Sequence, residues 1–145
     1  MCPLDPQPDE TAEELRIVVG RLVRHLRAAA SGGGVTLSQA SVLKRLDRDG
    51  PATSADLARA EAVRPQSLLA TVGALEALGL VARTPHPTDG RRRLVGLTDA
   101  GRSRLRERHE AGRHRLAELI AERLDPEERR TLAEAVVLLR RLAED

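Results

Sequence analysis

Apolar positions recur at helical spacing along most of this chain. Between Ala12 and Ala30, Leu15, Val18, Val19, Leu22 and Leu26 make one stripe, with Arg16, Arg21, Arg24 and Arg27 around it, which predicts an amphipathic helix. Ser31-Gly32-Gly33-Gly34 ends that helix and reads as a flexible joint. A second helix opens at Thr36, whose Gln39 three residues on fits a capping box, and runs through Val42, Leu43 and Leu46 toward Asp49-Gly50-Pro51. A third, short helix starts at Thr53 or Ser54, has Asp56 in its first turn, and carries Leu57, Ala58 and Ala60. After a turn at Glu61-Ala62-Val63, Pro65 enters a fourth helix at a position where its missing N–H is no loss. Leu68, Val72, Leu75 and Gly79 share one face of that helix; Gln66, Ser67, Leu69, Ala70 and Gly73 lie opposite, and Gly79 is placed to end it.

The period then changes. Leu80 to Arg83 and Leu94 to Leu97 are short β-prone runs, and the linker between them, TPHPTDGRRR, holds two prolines, an Asp-Gly pair and Arg91-Arg92-Arg93. Thr98-Asp99 caps a long helix through Leu105, Leu116, Leu119 and Ile120 to Leu124. Asp125-Pro126-Glu127-Glu128 is the clearest helix start in the chain, and the last helix carries Leu132, Ala135, Val136, Leu139 and Leu142. The expected class is mainly α with a small β-hairpin, in the order helix, helix, helix, helix, strand, strand, helix, helix. The third and fourth helices have helix-turn-helix spacing, and the hairpin after them ends in a cationic tip suited to DNA. The first and last helices carry more apolar surface than one small domain obviously covers, so a second copy of the chain is their expected partner.

Composition narrows the reading. The chain has 145 residues, enough for one ordinary domain or one protomer of an intimate oligomer. It contains no Phe, Trp or Tyr, which leaves an aliphatic core and no platform for stacking single-stranded bases. Net charge is only +2, so any cationic surface must come from the placement of arginines. Cys2 is the only cysteine, so no internal disulfide can form. The opening MCPLDPQPDE lacks the pattern of a signal peptide, and no apolar run would span a bilayer; a cytoplasmic protein is expected. His25, His86, His109 and His114 show no pair three or four residues apart, so no metal or other cofactor is expected. No nucleophile, base and orienter come together in the pattern, and an enzyme is not expected.

Residues Thr36 to Gly101 resemble the MarR family of bacterial transcriptional regulators, and the flanking helices match its layout. The resemblance rests on Thr36-Leu37-Ser38-Gln39 into Val42-Leu43, Leu57-Ala58, Leu75-Glu76 with Gly79-Leu80-Val81, and above all Pro87-Thr88-Asp89-Gly90-Arg91 running to Val95-Gly96-Leu97-Thr98 and Gly101. It implies a winged helix-turn-helix homodimer bound to a pseudo-palindromic duplex, with recognition helices in major grooves and wings in flanking minor grooves. Under it, residues 1–9 are a disordered leader, 10–35 and 99–145 dimerisation helices, and 36–98 the DNA-binding domain. Arg64, Pro65, Gln66, Ser67, Leu69 and Ala70 would face the major groove, and Thr53 and Ser54 would lie near phosphates. Asp89 would set the wing, Arg91 would be its tip arginine, and Arg92 and Arg93 would add charge.

Many members are repressors released by small ligands. An effector pocket here would be lined by Leu22, Leu26, Val42, Leu46 and Arg104, though a plain core role fits the apolar four as well. One branch of the family senses oxidants through an N-terminal Cys, but it leans on tyrosines that Cys2 lacks. The chain also departs from the family where the wing usually opens with Asp-Pro, since His86 stands in place of the Asp. Its recognition helix is short of long polar side chains, so readout would rest on few base contacts plus groove width. The alternative is a winged-helix module that binds protein, or binds DNA without operator specificity.

Overall fold

A computed structural model of the chain describes residues 6–30 and 34–144. Cys2, most of the expected leader and Ser31-Gly32-Gly33 lie outside the described residues. The elements are α1 (Pro8–Ala29), α2 (Leu37–Asp49), β1 (Ala52–Thr53), α3 (Ser54–Glu61), α4 (Pro65–Ala77), β2 (Val81–Pro85), β3 (Arg93–Leu97), α5 (Asp99–Arg123) and α6 (Pro126–Ala143). The mainly α class and the helix order match the sequence reading, with two differences. Helix α1 begins at Pro8, ahead of Ala12, because Pro suits a first helical position and Asp9 and Glu10 favour its first turn. A two-residue strand, β1, pairs antiparallel with β3 through Ala52–Val95 and Thr53–Leu94, so the sheet has three strands in the order β1-β3-β2.

Two compact units divide the chain: residues 30–110 form one, and the segments up to Ala29 and from Ala111 form the other. The core of the first unit is wholly aliphatic. Val42 and Leu43 on α2, Leu57 on α3, Leu68, Val72 and Leu75 on α4, Leu80 just before β2, and Val95 on β3 are its fully enclosed centre. Both expected capping boxes form. The Thr36 hydroxyl accepts from Gln39 N while Gln39 accepts from Thr36 N, and Asp125 and Glu128 repeat the exchange at the start of α6. In the second unit, Arg129 donates to the carbonyls of Ala121 and Leu124 and so closes the C-terminal turn of α5. Helices α1 and α6 bury none of their residues within the chain. Val18 and Val19 on α1, and Val137, Leu138 and Leu142 on α6, stay open, Leu142 at 76% exposure.

The tightest joint lies between the end of α4 and the start of α5. Gly79 has φ +73°, a left-handed conformation that costs glycine little, and Leu80 N then returns to Leu75 O at 3.0 Å to close the helix. Thr98 fastens this turn to α5: its N–H donates to Leu80 O (3.1 Å), its hydroxyl donates to Gly79 O (2.6 Å), and its Oγ accepts from Gly101 N (3.1 Å). Gly101 lies so close that a Cβ there would stand 2.1 Å from the Leu80 carbonyl oxygen. Gly101→Ala is therefore expected to lower unfolding stability by about 2 kcal/mol or more, since backbone must move. Urea denaturation at fixed protein concentration checks this; an unchanged midpoint would show that the joint yields freely.

Candidate nucleic-acid interface

The helix-turn-helix is built from its turn outward. Helix α3 starts at Thr53, whose side chain accepts from Asp56 N, and it ends at Ala62 with φ 53°. Ala62 is the only non-glycine at positive φ among the described residues, and such a conformation needs outside support. That support is next to it. Glu61 accepts from Ser41 Oγ (2.7 Å) and from Arg45 Nε (2.6 Å), and Arg45 also donates to Ala60 O (3.2 Å). Two α2 side chains thereby hold the last turn of α3. Burial works to raise the Glu61 pKa, but the hydrogen bonds from Arg45 and Ser41, with the charges of Arg45 and Arg48, prevail and hold it below the usual carboxylate range.

Helix α4 presents the expected two faces. Leu68, Val72 and Leu75 are buried, whereas Gln66, Ser67, Ala70 and Gly73 are exposed and Leu69 is 46% open. Arg64 and Pro65 are exposed at its start, and the Arg64 side chain forms no cap. Thr71, which the sequence reading passed over, returns its hydroxyl to Ser67 O at 3.1 Å. An added Cβ at Gly73 would meet nothing within 4 Å. Of the two residues expected near phosphates, Thr53 is buried and engaged as the α3 cap, and Ser54 is half-buried.

The wing is the β2–β3 hairpin, paired from Val81–Leu97 to Pro85–Arg93. Its loop spans residues 86–92, longer than a two-residue Asp-Gly turn, and Pro87 within it has no N–H to extend the ladder. Arg92 N donates to Asp89 O (3.0 Å), which makes Asp89 to Arg92 a four-residue turn, and Asp89 Oδ1 accepts from Arg91 N (3.1 Å). Arg91, Arg92 and Arg93 are all exposed. An ion pair of 2.7 Å between Arg83 on β2 and Glu76 on α4 ties the wing to the recognition helix. The structure therefore brings α4 and the wing into one unit. It adds Ser41, Arg45, Glu61, Glu76 and Arg83 as supports that the sequence reading missed. Their partners lie 7 to 20 residues apart across different elements and leave no local pattern.

Of the residues named for an effector, Val42 and Leu46 are buried in the core of the first unit. Arg104 on α5 lies 3.7 Å from Glu107. On α1, Leu22 is exposed and Leu26 half-buried. No cluster of three or more His, Cys, Asp or Glu side chains among the described residues could hold a metal ion. No described helix is long and apolar enough to cross a membrane.

A short helix, a tight turn, an outward-facing second helix and a sheet with a cationic hairpin together define a winged helix-turn-helix DNA-binding unit. A profile of the MarR family matches residues 33–92. The chain is 37% identical over 134 residues to an uncharacterised HTH-type transcriptional regulator of Mycobacterium bovis, covering 92% of this chain and 93% of that one. It superposes with a TM-score of 0.77 and 36% identity on the crystal structure of a Pseudomonas aeruginosa protein proposed to be a transcriptional regulator, over 97% and 99% of the two chains. It shares its fold with a mutant of S. aureus MepR bound to an oligodeoxyribonucleotide, at TM-score 0.70 and 17% identity over 92% and 98%. The chain belongs to the MarR family and is a DNA-binding transcriptional regulator.

Glu61→Gln tests the support under the turn. Because the Glu61 pKa is lowered by folding, its stabilisation is complete above its ordinary value of 4.5 and is lost as the pH falls through the lowered one. The variant is expected to lose about 1–2 kcal/mol at neutral pH and to show a flatter acid limb. Stability profiles of variant and parent that run parallel down to acid unfolding would rule this out.

Proposed function

We propose that this regulator is a repressor that binds a pseudo-palindromic operator as a homodimer, with α4 in the major groove and the wing in the flanking minor groove. The observation that carries the reading is the presence, within one unit, of an exposed polar and small α4 face and a tip of three exposed arginines. Gln66 and Ser67 offer hydrogen bonds to base edges, Arg64 offers a fork at the helix start, and Leu69 and Ala70 offer apolar contact to thymine methyls. At the tip, Arg91 suits a narrow minor groove, where the negative potential is strongest, while Arg92 and Arg93 neutralise phosphates. Ser54, half-buried at the start of α3, and Thr53 beside it would lie nearest the backbone. Release by a small ligand belongs to the same reading, with aliphatic walls rather than stacking surfaces as the chemistry on offer.

The open faces of α1 and α6 support the dimer. Exposed Ile17, Val18 and Val19 on one, and Val136, Val137 and Leu138 on the other, are apolar surface that a second copy would cover.

Arg91→Ala is expected to weaken binding to a duplex from upstream of the chain's own coding sequence by about 1–3 kcal/mol and to shallow the salt dependence. Binding and slope identical to the parent would remove the wing from the interface. Equal competition by unrelated duplex would instead indicate a non-specific DNA-binding module.

Sedimentation equilibrium is expected to find the parent chain dimeric at micromolar concentration and Leu138→Glu predominantly monomeric. A parent that sediments as a folded monomer would overturn the assembly.

A further inference from the structure

We propose that His86 positions the wing arginines through the unprotonated Nδ1 of its ring, and that it makes the order of the wing tip depend on pH. The inference rests on the wing reading above for its consequence at DNA, but its geometry stands alone. His86 lies between Pro85 and Pro87, at the point where β2 gives way to the loop. Its own N–H closes the last rung of the hairpin on Arg92 O at 3.0 Å. The next two amides, Thr88 N and Asp89 N, both point at His86 Nδ1, each at 3.2 Å, and the Thr88 hydroxyl lies 3.3 Å from the same atom.

The proton state follows from the partners. A backbone amide can only donate, so the ring nitrogen facing two of them must accept, and its proton resides on Nε2. Nδ1 stands as many bonds from Cα as the Oδ1 of Asn or Asp, the atoms that usually hold such turns. The imidazole therefore replaces an Asx side chain, with one difference: protonation turns its accepting nitrogen into a donor. The held residue matters. Asp89 supplies the carbonyl that accepts from Arg92 N and the carboxylate that accepts from Arg91 N, so the hold passes from ring to Asp89 to the arginines.

Protonation at Nδ1 would set an N–H against two N–H donors and open the turn. The set tip is thus the form with fewer protons: its order holds while Nδ1 is unprotonated and is lost once that nitrogen takes up a proton. The charged groups of the tip and its strands are Arg83, Asp89, Arg91, Arg92 and Arg93, of which Arg83 is engaged by Glu76 of α4.

The test pairs His86→Ala with His86→Asn, which restores an acceptor at the same reach and does not titrate. At neutral pH, the Ala variant is expected to bind the upstream duplex about five-fold more weakly, and the Asn variant within about two-fold of the parent. Ring and amide nitrogen NMR of the intact protein follows the tip without DNA. The Thr88 and Asp89 amide signals should move with the His86 ring as it protonates, and stay level in the Asn variant. An Asn variant as weak as Ala, or amides that ignore the ring, would overturn the proposal. Should even the parent fail to bind duplex, the wing reading falls, while the amide titration still decides the role of His86.

Discussion

The structure depends on one close approach, that of Gly101 to the Leu80 carbonyl. Three elements that face different neighbours meet there: the end of the recognition helix, the first strand of the wing and the start of the long α5. Thr98 makes a bond to each side of the joint, and it can do so only because residue 101 has no side chain to hold the backbones apart. Helix α4 and the wing therefore share an origin. Glu76 and Arg83 add a second tie a turn away, so the angle between helix and hairpin is fixed at two points. The proposed docking, in which helix and wing enter two grooves at once, needs that angle to be constant.

Local signals read well from the chain. Thr36 with Gln39 and Asp125 with Glu128 form their capping boxes because the chemistry of a helix start lies within four residues. The α4 stripe was equally legible, since Leu68, Val72 and Leu75 repeat at the helical period and end at a glycine. Strand β1 was not, because Ala52 and Thr53 are too few to show alternation; they become a strand only by pairing with β3. The linker and its Asp-Gly pair were legible as a turn, but the hydrogen bonds that shape residues 86–92 were not. The clamp of Ser41, Arg45 and Glu61 is a product of tertiary packing, and the Ala62 turn carries no glycine to announce it. Of the candidate interface, the arginines, Asp89 and the α4 face were visible, and the supports Ser41, Arg45, Glu61, Glu76 and Arg83 were not.

Charge and shape divide the work. With a net charge of +2 the chain as a whole has little pull on a polyanion, so long-range attraction must come from where the arginines stand. Three lie at the wing tip, Arg91 and Arg92 on the loop and Arg93 at the start of β3, where backbone amides donate to His86 Nδ1 and Asp89 Oδ1. The aliphatic interior, in contrast, anchors α4 through three enclosed residues and leaves its outer face free of structural duty.

Gly73 shows what that freedom permits. It sits on the open side of the recognition helix with no atom near the place where a side chain would begin. Glycine inside a helix weakens it by roughly 0.5–1 kcal/mol relative to alanine, so replacing it with a longer residue would strengthen the helix while adding reach. Most routes to a new DNA preference must trade stability against contact, but at this position the two run in the same direction. Under the proposed docking of α4, the scaffold leaves this position open to side chains that would alter what the helix meets.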